Sequence, residues 1–140
     1  SLGQERDDSN LLKKHLIVPT KKKLTPNQLS TGLFAWKVVK HTKSNAIVVA
    51  KNNKIISISG GQTSRVDATK IAFEKTKIPK GCVVASDAFF PFKDSIEKMA
   101  QYKISAIIQP GGSIRDCEVV ESCNKNKIAM AFTGFRVFKH

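Results

Sequence analysis

The sequence predicts an α/β fold, with a mixed and mostly parallel sheet, helices on both faces and an antiparallel hairpin at one edge. In the second half of the chain, short apolar runs alternate three times with helical segments, which is the pattern of parallel strands joined by crossover helices. Ahead of them, two strand-like runs are separated by the turn residues Asn52 and Asn53, which predicts the hairpin.

The first half of the chain is predicted to form a connector, a helix and the hairpin. Residues 1–24 are polar and contain Pro19 and a lysine triplet, so we interpret them as an irregular connector to a domain over residues 25–140. Thr25 and Pro26 form an N-cap and first-turn pair, and apolar residues at helical spacing then predict a helix to about Lys40. The hairpin strands are expected at 46–52 and 54–59.

The second half is predicted to supply three helices and three buried strands. The helices are expected at about 64–77, 94–101 and 114–125, and the strands are the apolar runs at 82–86, 105–109 and 128–132. Ligands of such sheets bind outside the carboxyl ends of the strands. The segments that leave those ends are GGQTSR at 60–65, SDAFFPF at 86–92, PGGS at 110–113 and TGFRVFKH at 133–140.

Composition limits the classes of protein. The chain has 140 residues and a formal net charge of +13, and it carries ten lysines and no carboxylate between Asp8 and Asp67. This charge favours an anionic partner such as a nucleic acid or a phosphorylated metabolite, but a solvated coat of lysines explains it equally well. Three cysteines without a CxxC pair predict neither a disulfide framework nor a zinc site, and hence a reducing cytoplasm. With no long apolar run and no leader, we expect no membrane partner.

The loops at the carboxyl edge are the candidate site. The glycine pairs of GGQTSR and PGGS each precede a helix, and they serve either as tight turns or as N–H groups that attract an anion. In SDAFFPF, the phenylalanines around Pro91 form either a flat apolar slot or part of the core. Asp87 and Asp94 flank this loop as acceptors for a heterocycle, although Asp94 also fits as a helix cap. Asn45 is suited to orienting a substrate amide, whereas the lone His41 is expected to be structural or exposed.

Five motifs in order resemble the carboxyl-terminal part of a bifunctional purine biosynthesis family. Members of that family carry aminoimidazolecarboxamide ribonucleotide (AICAR) formyltransferase and inosine monophosphate (IMP) cyclohydrolase activities. The motifs are FAWKVVKHTKSNAIVVAKN, ISGGQTSRVDATKIA, VASDAFFPFKDSIE, ISAIIQPGGSIRDCEVV and IAMAFTGFRVFKH. The resemblance implies a cytidine deaminase-like, three-layer α/β/α fold. It also implies transfer of a formyl group from 10-formyltetrahydrofolate to the 5-amino group of AICAR.

The resemblance also implies roles for particular residues. Asn45 would orient the reacting amine or carboxamide and Arg65 would hold the carboxamide. The remaining nucleotide contacts would come from the Phe89 backbone, Arg136 on the phosphate and Phe138. The folate slot would comprise Pro91, Phe92, Asp94, Gly112 and Ser113, with Asp94 accepting from the pterin. A potassium ion is expected near Thr42, Ser44 and Asp87.

Parts of the family's machinery are not found in this sequence. The catalytic lysine and histidine belong to a motif that is absent here, and Lys40 and His41 lie in a different element and do not replace it. The cyclohydrolase domain is also absent, and the family's sites are shared in a homodimer, so we expect this chain alone to be inactive. The alternative function is a basic nucleic-acid-binding module, but no nucleic-acid motif is present and no nucleic-acid partner is expected. A zinc deaminase of the same fold is excluded because its PCxxC signature is missing.

Overall fold

The computed structural model describes residues 15–90 and 93–134. Within these ranges the chain forms four helices and five strands, in the predicted order and within a few residues of the predicted bounds. The helices are α1 (Pro26–Lys40), α2 (Arg65–Glu74), α3 (Lys93–Ala100) and α4 (Asp116–Lys125). The strands are β1 (Ile47–Lys51), β2 (Lys54–Ser59), β3 (Val83–Ser86), β4 (Ala106–Gln109) and β5 (Ala129–Phe132).

The strands form one mixed sheet in the order β2-β1-β3-β4-β5. Strands β3, β4 and β5 pair in parallel, whereas β1 is antiparallel to both β2 and β3. Four strands therefore point the same way and only β1 is reversed. The hairpin lies at one end of the sheet, as predicted, and β1 joins it to the parallel strands.

Helices cover both faces of the sheet. Helix α1 packs on one face, where Trp36 and Val39 belong to a core cluster with strand residues such as Val48. Helices α2, α3 and α4 cover the other face, where Phe73 and Met99 pack among residues that include Val49. Because successive strand residues point to opposite faces, β1 contributes to both cores and is apolar at each of its first four positions.

Helix α1 begins where the sequence predicts it. The Thr25 hydroxyl accepts from the Gln28 N–H at 3.1 Å, and the Gln28 side chain accepts from the Thr25 N–H at 2.9 Å. This capping box satisfies two backbone donors at the helix start, and Pro26 follows it in the first turn.

The segment ahead of α1 is attached to the outer edge of β5. Ile17 and Phe132 exchange two backbone hydrogen bonds, at 3.0 and 2.7 Å. The buried Thr20 accepts from the Met130 N–H at 2.9 Å. The described part of the predicted connector therefore packs against the sheet, which its polar composition did not indicate.

Among the described residues, no helix is both long and apolar enough to span a membrane.

Candidate functional site

Several chain segments meet where the carboxyl ends of β2, β3, β4 and β5 lie side by side, and we call this end of the sheet the carboxyl rim. It comprises the segments that follow β2, β3, β4 and β5, together with the segment that precedes the reversed strand β1. Ile47 lies opposite Ser59 at the end of β2 and opposite Ser86 at the end of β3. The residues just before β1 are therefore brought beside the loops that leave β2 and β3.

Three predicted site residues, Asn45, Arg65 and Asp87, are joined at this rim. The Nη2 atom of Arg65 donates to Asp87 Oδ1 at 2.7 Å and to Asn45 Oδ1 at 3.0 Å, and Nη1 donates to the Ala46 carbonyl at 2.8 Å. Only 6% of the Arg65 side chain and 12% of the Asp87 side chain are exposed. The cluster is therefore a largely buried ion pair with an amide attached to it.

Helix α2 places Arg65 in this position. Ser64 is the N-cap, and its hydroxyl accepts from the Asp67 N–H at 3.0 Å. Arg65 is then the first helical residue, and its side chain reaches across to the start of β1. The Nε atom of Arg65 is buried and has no hydrogen-bond partner among the residues that the structure describes.

Asp87 is the most heavily bonded acceptor of the cluster. Besides Arg65, its carboxylate accepts from the Ala46 N–H at 3.1 Å and from the Ser44 hydroxyl at 2.5 Å. Ser44 and Asp87 are thus adjacent, as the predicted cation site requires. The Thr42 hydroxyl, however, donates to the Val38 carbonyl at 2.8 Å, within the end of α1. In the described ranges, no three His, Cys, Asp or Glu side chains are grouped in a way that would hold a metal ion.

The GGQTSR loop holds Asn45 in place. The Gln62 carbonyl accepts from the Asn45 N–H at 3.1 Å and from its Nδ2 at 3.0 Å. The Gly61 N–H donates to the Lys43 carbonyl at 2.6 Å. The Gly61 N–H, and the Gln62 N–H that donates to the Asn45 carbonyl at 3.4 Å, are therefore directed at the segment before β1 rather than toward an open anion site, and the loop supports the Asn45 amide.

The PGGS loop is bonded to a carboxylate of the next helix, Asp116 of α4, which sequence reasoning missed. Asp116 accepts from the Gly112 N–H at 2.7 Å and from the Ser113 N–H at 3.2 Å. The N–H groups that were candidates for binding an anion are therefore already bonded. The spacing of Ser113 and Asp116, Ser-x-x-Asp, is a capping signature that indicates this bond.

The SDAFFPF loop divides its aromatic residues between core and surface. Phe90 is fully buried, whereas Phe89 is 39% exposed. The alternative of a core role is therefore correct for Phe90. Asp94 is exposed in the first turn of α3, which starts at Lys93, so it does not occupy the N-cap position. The predicted site residues Pro91, Phe92, Arg136 and Phe138 lie outside the described residues.

Another buried polar residue at the rim, Gln109, is not among the predicted site residues. It is the last residue of β4 and is fully buried. Its Oε1 accepts from the Phe90 N–H at 2.7 Å, so it ties β4 to the loop that follows β3. No sequence signal separates this glutamine from an ordinary polar strand end.

The buried cysteines lie away from this chemistry. Burial raises the pKa of the Cys123 thiol to about 12. Burial also raises the pKa of Cys82, an effect that nearby Lys51 partly opposes. Both thiols belong to the core that underlies α2, α3 and α4, and all three cysteines, including the exposed Cys117, are free. The site is therefore built from amide, guanidinium and carboxylate groups.

Fold and site together define an α/β domain with a buried, hydrogen-bonded polar cluster at the carboxyl ends of its strands, the position where such domains bind ligands. The family model described as "AICARFT/IMPCHase bienzyme" matches residues 1–75, and the chain belongs to this family.

Individual relatives agree with this assignment over nearly the whole chain. The bifunctional purine biosynthesis protein PurH of Aquifex aeolicus is 55% identical over 139 residues, which are 96% of this chain and 28% of that protein. PurH of Caldicellulosiruptor bescii is 52% identical over 141 residues, covering 100% of this chain and 27% of the relative. PurH of Acetivibrio thermocellus is 57% identical over 126 residues, which are 89% of this chain and 24% of that protein. The chain thus spans about a quarter of the length of these relatives.

Proposed function

We propose that this chain forms the carboxyl-terminal, cytidine deaminase-like part of the AICAR formyltransferase region of its family. In that role it binds AICAR and 10-formyltetrahydrofolate for formyl transfer to the 5-amino group. The observation that carries the proposal is the convergence of Asn45, Arg65 and Asp87 at the carboxyl rim, beside the exposed Phe89. The resemblance implies substrate-binding roles for Asn45 and Arg65, and both residues lie where an α/β sheet binds its ligand.

Asn45 is suited to orienting the substrate. Its amide is fixed on both sides, because Oδ1 accepts from Arg65 and Nδ2 donates to the Gln62 carbonyl. An amide has two donor hydrogens and two acceptor lone pairs, so each side keeps one unused position. A half-buried amide held in this way presents one donor and one acceptor to a carboxamide or an aromatic amine.

Arg65 contributes both positioning and charge. Three of the five N–H groups of a guanidinium are used in the bonds to Ala46, Asn45 and Asp87. Two donors remain, the second Nη1–H and the buried Nε–H, and we assign the contact with the carboxamide oxygen of AICAR to the Nη1–H. Asp87 holds the guanidinium in a fixed orientation, so this binding geometry exists before the ligand arrives.

The remaining chemistry is assigned to groups outside this chain. The amine must lose a proton as it attacks the formyl carbon, and a donor must stabilise the developing oxyanion. We assign the general base to the rest of the homodimeric, cytoplasmic enzyme. Asp94 is an exposed acceptor for the pterin, and Arg136 is the proposed phosphate ligand. No step is assigned to potassium: an ion there would have to share Asp87 with the Arg65, Ala46 and Ser44 donors, although the Thr42 oxygen keeps its lone pairs because that hydroxyl donates to Val38.

Binding measurements test the proposal directly. Calorimetric titrations of the chain with AICAR and with a folate analogue should show saturable binding of each. Arg136→Ala and Asn45→Ala should each weaken AICAR binding about tenfold or more, since each removes a directional contact. The control Asn27→Ala, in the exposed first turn of α1, should not change it.

A short oligonucleotide serves as the competing ligand in the same experiment. If only the oligonucleotide binds, with an affinity that falls steeply as salt rises, the formyltransferase proposal is wrong and the basic-module alternative replaces it.

A further inference from the structure

Gln109 is a buried amide whose conventional hydrogen bond is made to a loop. The residue is 0% exposed, and its Oε1 accepts from the Phe90 N–H at 2.7 Å. On the other side of the amide, Nε2 donates to Met130 Sδ at 3.2 Å, and a thioether is a weak acceptor. Packing alone would be served equally well by leucine or methionine, which carry no polar atoms to desolvate. What glutamine adds at this position is the acceptor for Phe90.

The bond between Gln109 and Phe90 anchors the segment after β3 next to residues that are exposed. The Phe90 ring is fully buried in the core, and its N–H is held by Gln109, so both backbone and side chain are anchored. The neighbouring Phe89 is 39% exposed, and helix α3 begins three residues after Phe90 with Asp94 in its first turn. A shift of the anchor would therefore displace the exposed groups on both sides of it.

Gln109 also connects the loop to the end of β5. Its backbone carbonyl accepts from the Thr133 N–H at 2.8 Å, and the next residue, Pro110, accepts from the Gly134 N–H at 3.0 Å. One residue thus links the segments that leave β3, β4 and β5 at the carboxyl rim.

We propose that Gln109 is a positioning residue, which fixes Phe90 and so orients the groups on either side of it, the Phe89 backbone toward the nucleotide and Asp94 toward the pterin of the cosubstrate. The identity of these two ligands rests on the proposed function. The positioning itself does not, because it is a property of the loop.

Amide hydrogen exchange tests the positioning without any ligand. Gln109→Met keeps the side-chain volume and removes the oxygen acceptor, so exchange at the Phe90 amide should accelerate about tenfold, while amides of β4 and β5 remain protected. Met130→Leu removes only the sulfur contact and should leave Phe90 unchanged.

A matched control is available at Thr20, which is 1% exposed and whose hydroxyl accepts from the Met130 N–H at 2.9 Å. Thr20→Val removes the same kind of bond elsewhere, so it should accelerate exchange at Met130 and leave Phe90 unaffected. The proposal is overturned if Gln109→Met leaves Phe90 exchange within about twofold of the unmodified chain, or if all core amides accelerate equally. An unmodified chain in which Phe90 already exchanges at the rate of an open loop overturns it without any variant.

Ligand binding then tests the consequence. Gln109→Met should weaken binding of a folate analogue and of AICAR about fivefold to tenfold each, because Asp94 and the Phe89 backbone both lie beside the Phe90 anchor. Unchanged binding of both ligands contradicts a role of this anchor in ligand binding. If the unmodified chain binds neither ligand, the proposed function fails, and the exchange result alone decides the positioning claim.

Discussion

Polar residues are arranged differently at the two ends of the strands, where one end has buried, bonded groups and the other has a row of lysines. At the carboxyl rim, Arg65 and Asp87 are largely buried, and Arg65 is bonded both to Asp87 and to the half-buried Asn45. At the other edge, which we call the lysine rim, each strand has a lysine at or near its end. These lysines are Lys54, Lys51, Lys80, Lys103 and Lys127. The ion pairs among the described residues are Arg65–Asp87 and Arg115–Glu118, and neither involves the lysine rim.

The lysines that give the chain much of its net charge are therefore not the residues that form the candidate site. The net charge of +13 is the most conspicuous feature of the composition, yet a row of its lysines lies at the edge away from the candidate site. Solvated lysines of this kind influence solubility and long-range steering rather than a specific site. The site is marked instead by polar groups that are buried and bonded, which composition does not reveal.

The largest expected effect comes from breaking the buried ion pair. Asp87→Ala leaves the Arg65 guanidinium buried without its carboxylate and should lower the free energy of unfolding by about 3–5 kcal/mol, measured by urea denaturation. Glu118→Ala, which breaks the half-exposed pair with Arg115, should cost less than about 1 kcal/mol. Equal costs would mean that the carboxyl rim is no more tightly organised than the surface.

The next effect concerns glycine at the carboxyl rim. Gly111 has a φ of +78°, and a Cβ added there would lie 2.9 Å from Cγ of Phe132. Gly111→Ala should therefore destabilise the chain by about 2–4 kcal/mol, from backbone strain together with overpacking. Gly134 has a φ of +63°, but a Cβ added there would meet no atom within 4 Å among the described residues, so Gly134→Ala should cost only about 1–2 kcal/mol. Thermal denaturation of both variants checks this, and a smaller cost at Gly111 would contradict it.

A pH effect is expected from the core rather than from either rim. Burial raises the pKa of Cys123 from 9.0 to about 12, so between these values the unfolded chain has lost a proton that the folded chain retains. Stability contributed by this thiol is complete below pH 9.0 and falls as the pH rises toward 12, by about 1.4 kcal/mol per pH unit. The measurement compares the free energies of unfolding of the unmodified chain and of the Cys123→Ala variant between about pH 8 and 11. A stability difference that does not narrow as the pH rises would contradict the burial.

The smallest effect on stability is expected at the lysine rim. Lys80→Gln, Lys103→Gln and Lys127→Gln together remove three like charges but preserve the backbone bonds of these residues. Stability should rise slightly at low salt and be unchanged at high salt, because the repulsion that is relieved is screened. Urea unfolding at two salt concentrations measures this. Destabilisation at both would show that these lysines make contacts beyond their charge.

Much of the fold follows from local sequence signals. The Thr25 and Gln28 capping box, the Asn52-Asn53 turn and the wholly apolar runs predict element type and order, because these signals act within a few residues. The convergence of Asn45, Arg65 and Asp87 was also predictable, since strand ends of such a sheet share an edge.

Other features depend on tertiary contacts that no local pattern encodes. Phe89 and Phe90 are adjacent and chemically identical, yet only Phe90 is buried, because the Gln109 acceptor and the core hold it inward. Thr20 lies in a polar segment, but it caps the edge of β5 more than a hundred residues away. Asp116 accepts from the N–H groups of Gly112 and Ser113, in a loop whose glycines alone left a tight turn and an anion site as open alternatives.

The central claim is that the carboxyl rim, and not the lysine rim, binds the anionic nucleotide. Titration of AICAR into the isotopically labelled chain, followed by amide chemical shifts, tests it most directly. We expect saturable shifts at Asn45, Arg65 and Asp87, with none at Lys80, Lys103 or Lys127. Shifts confined to the lysine rim, or no saturable shift at the carboxyl rim, would contradict the account.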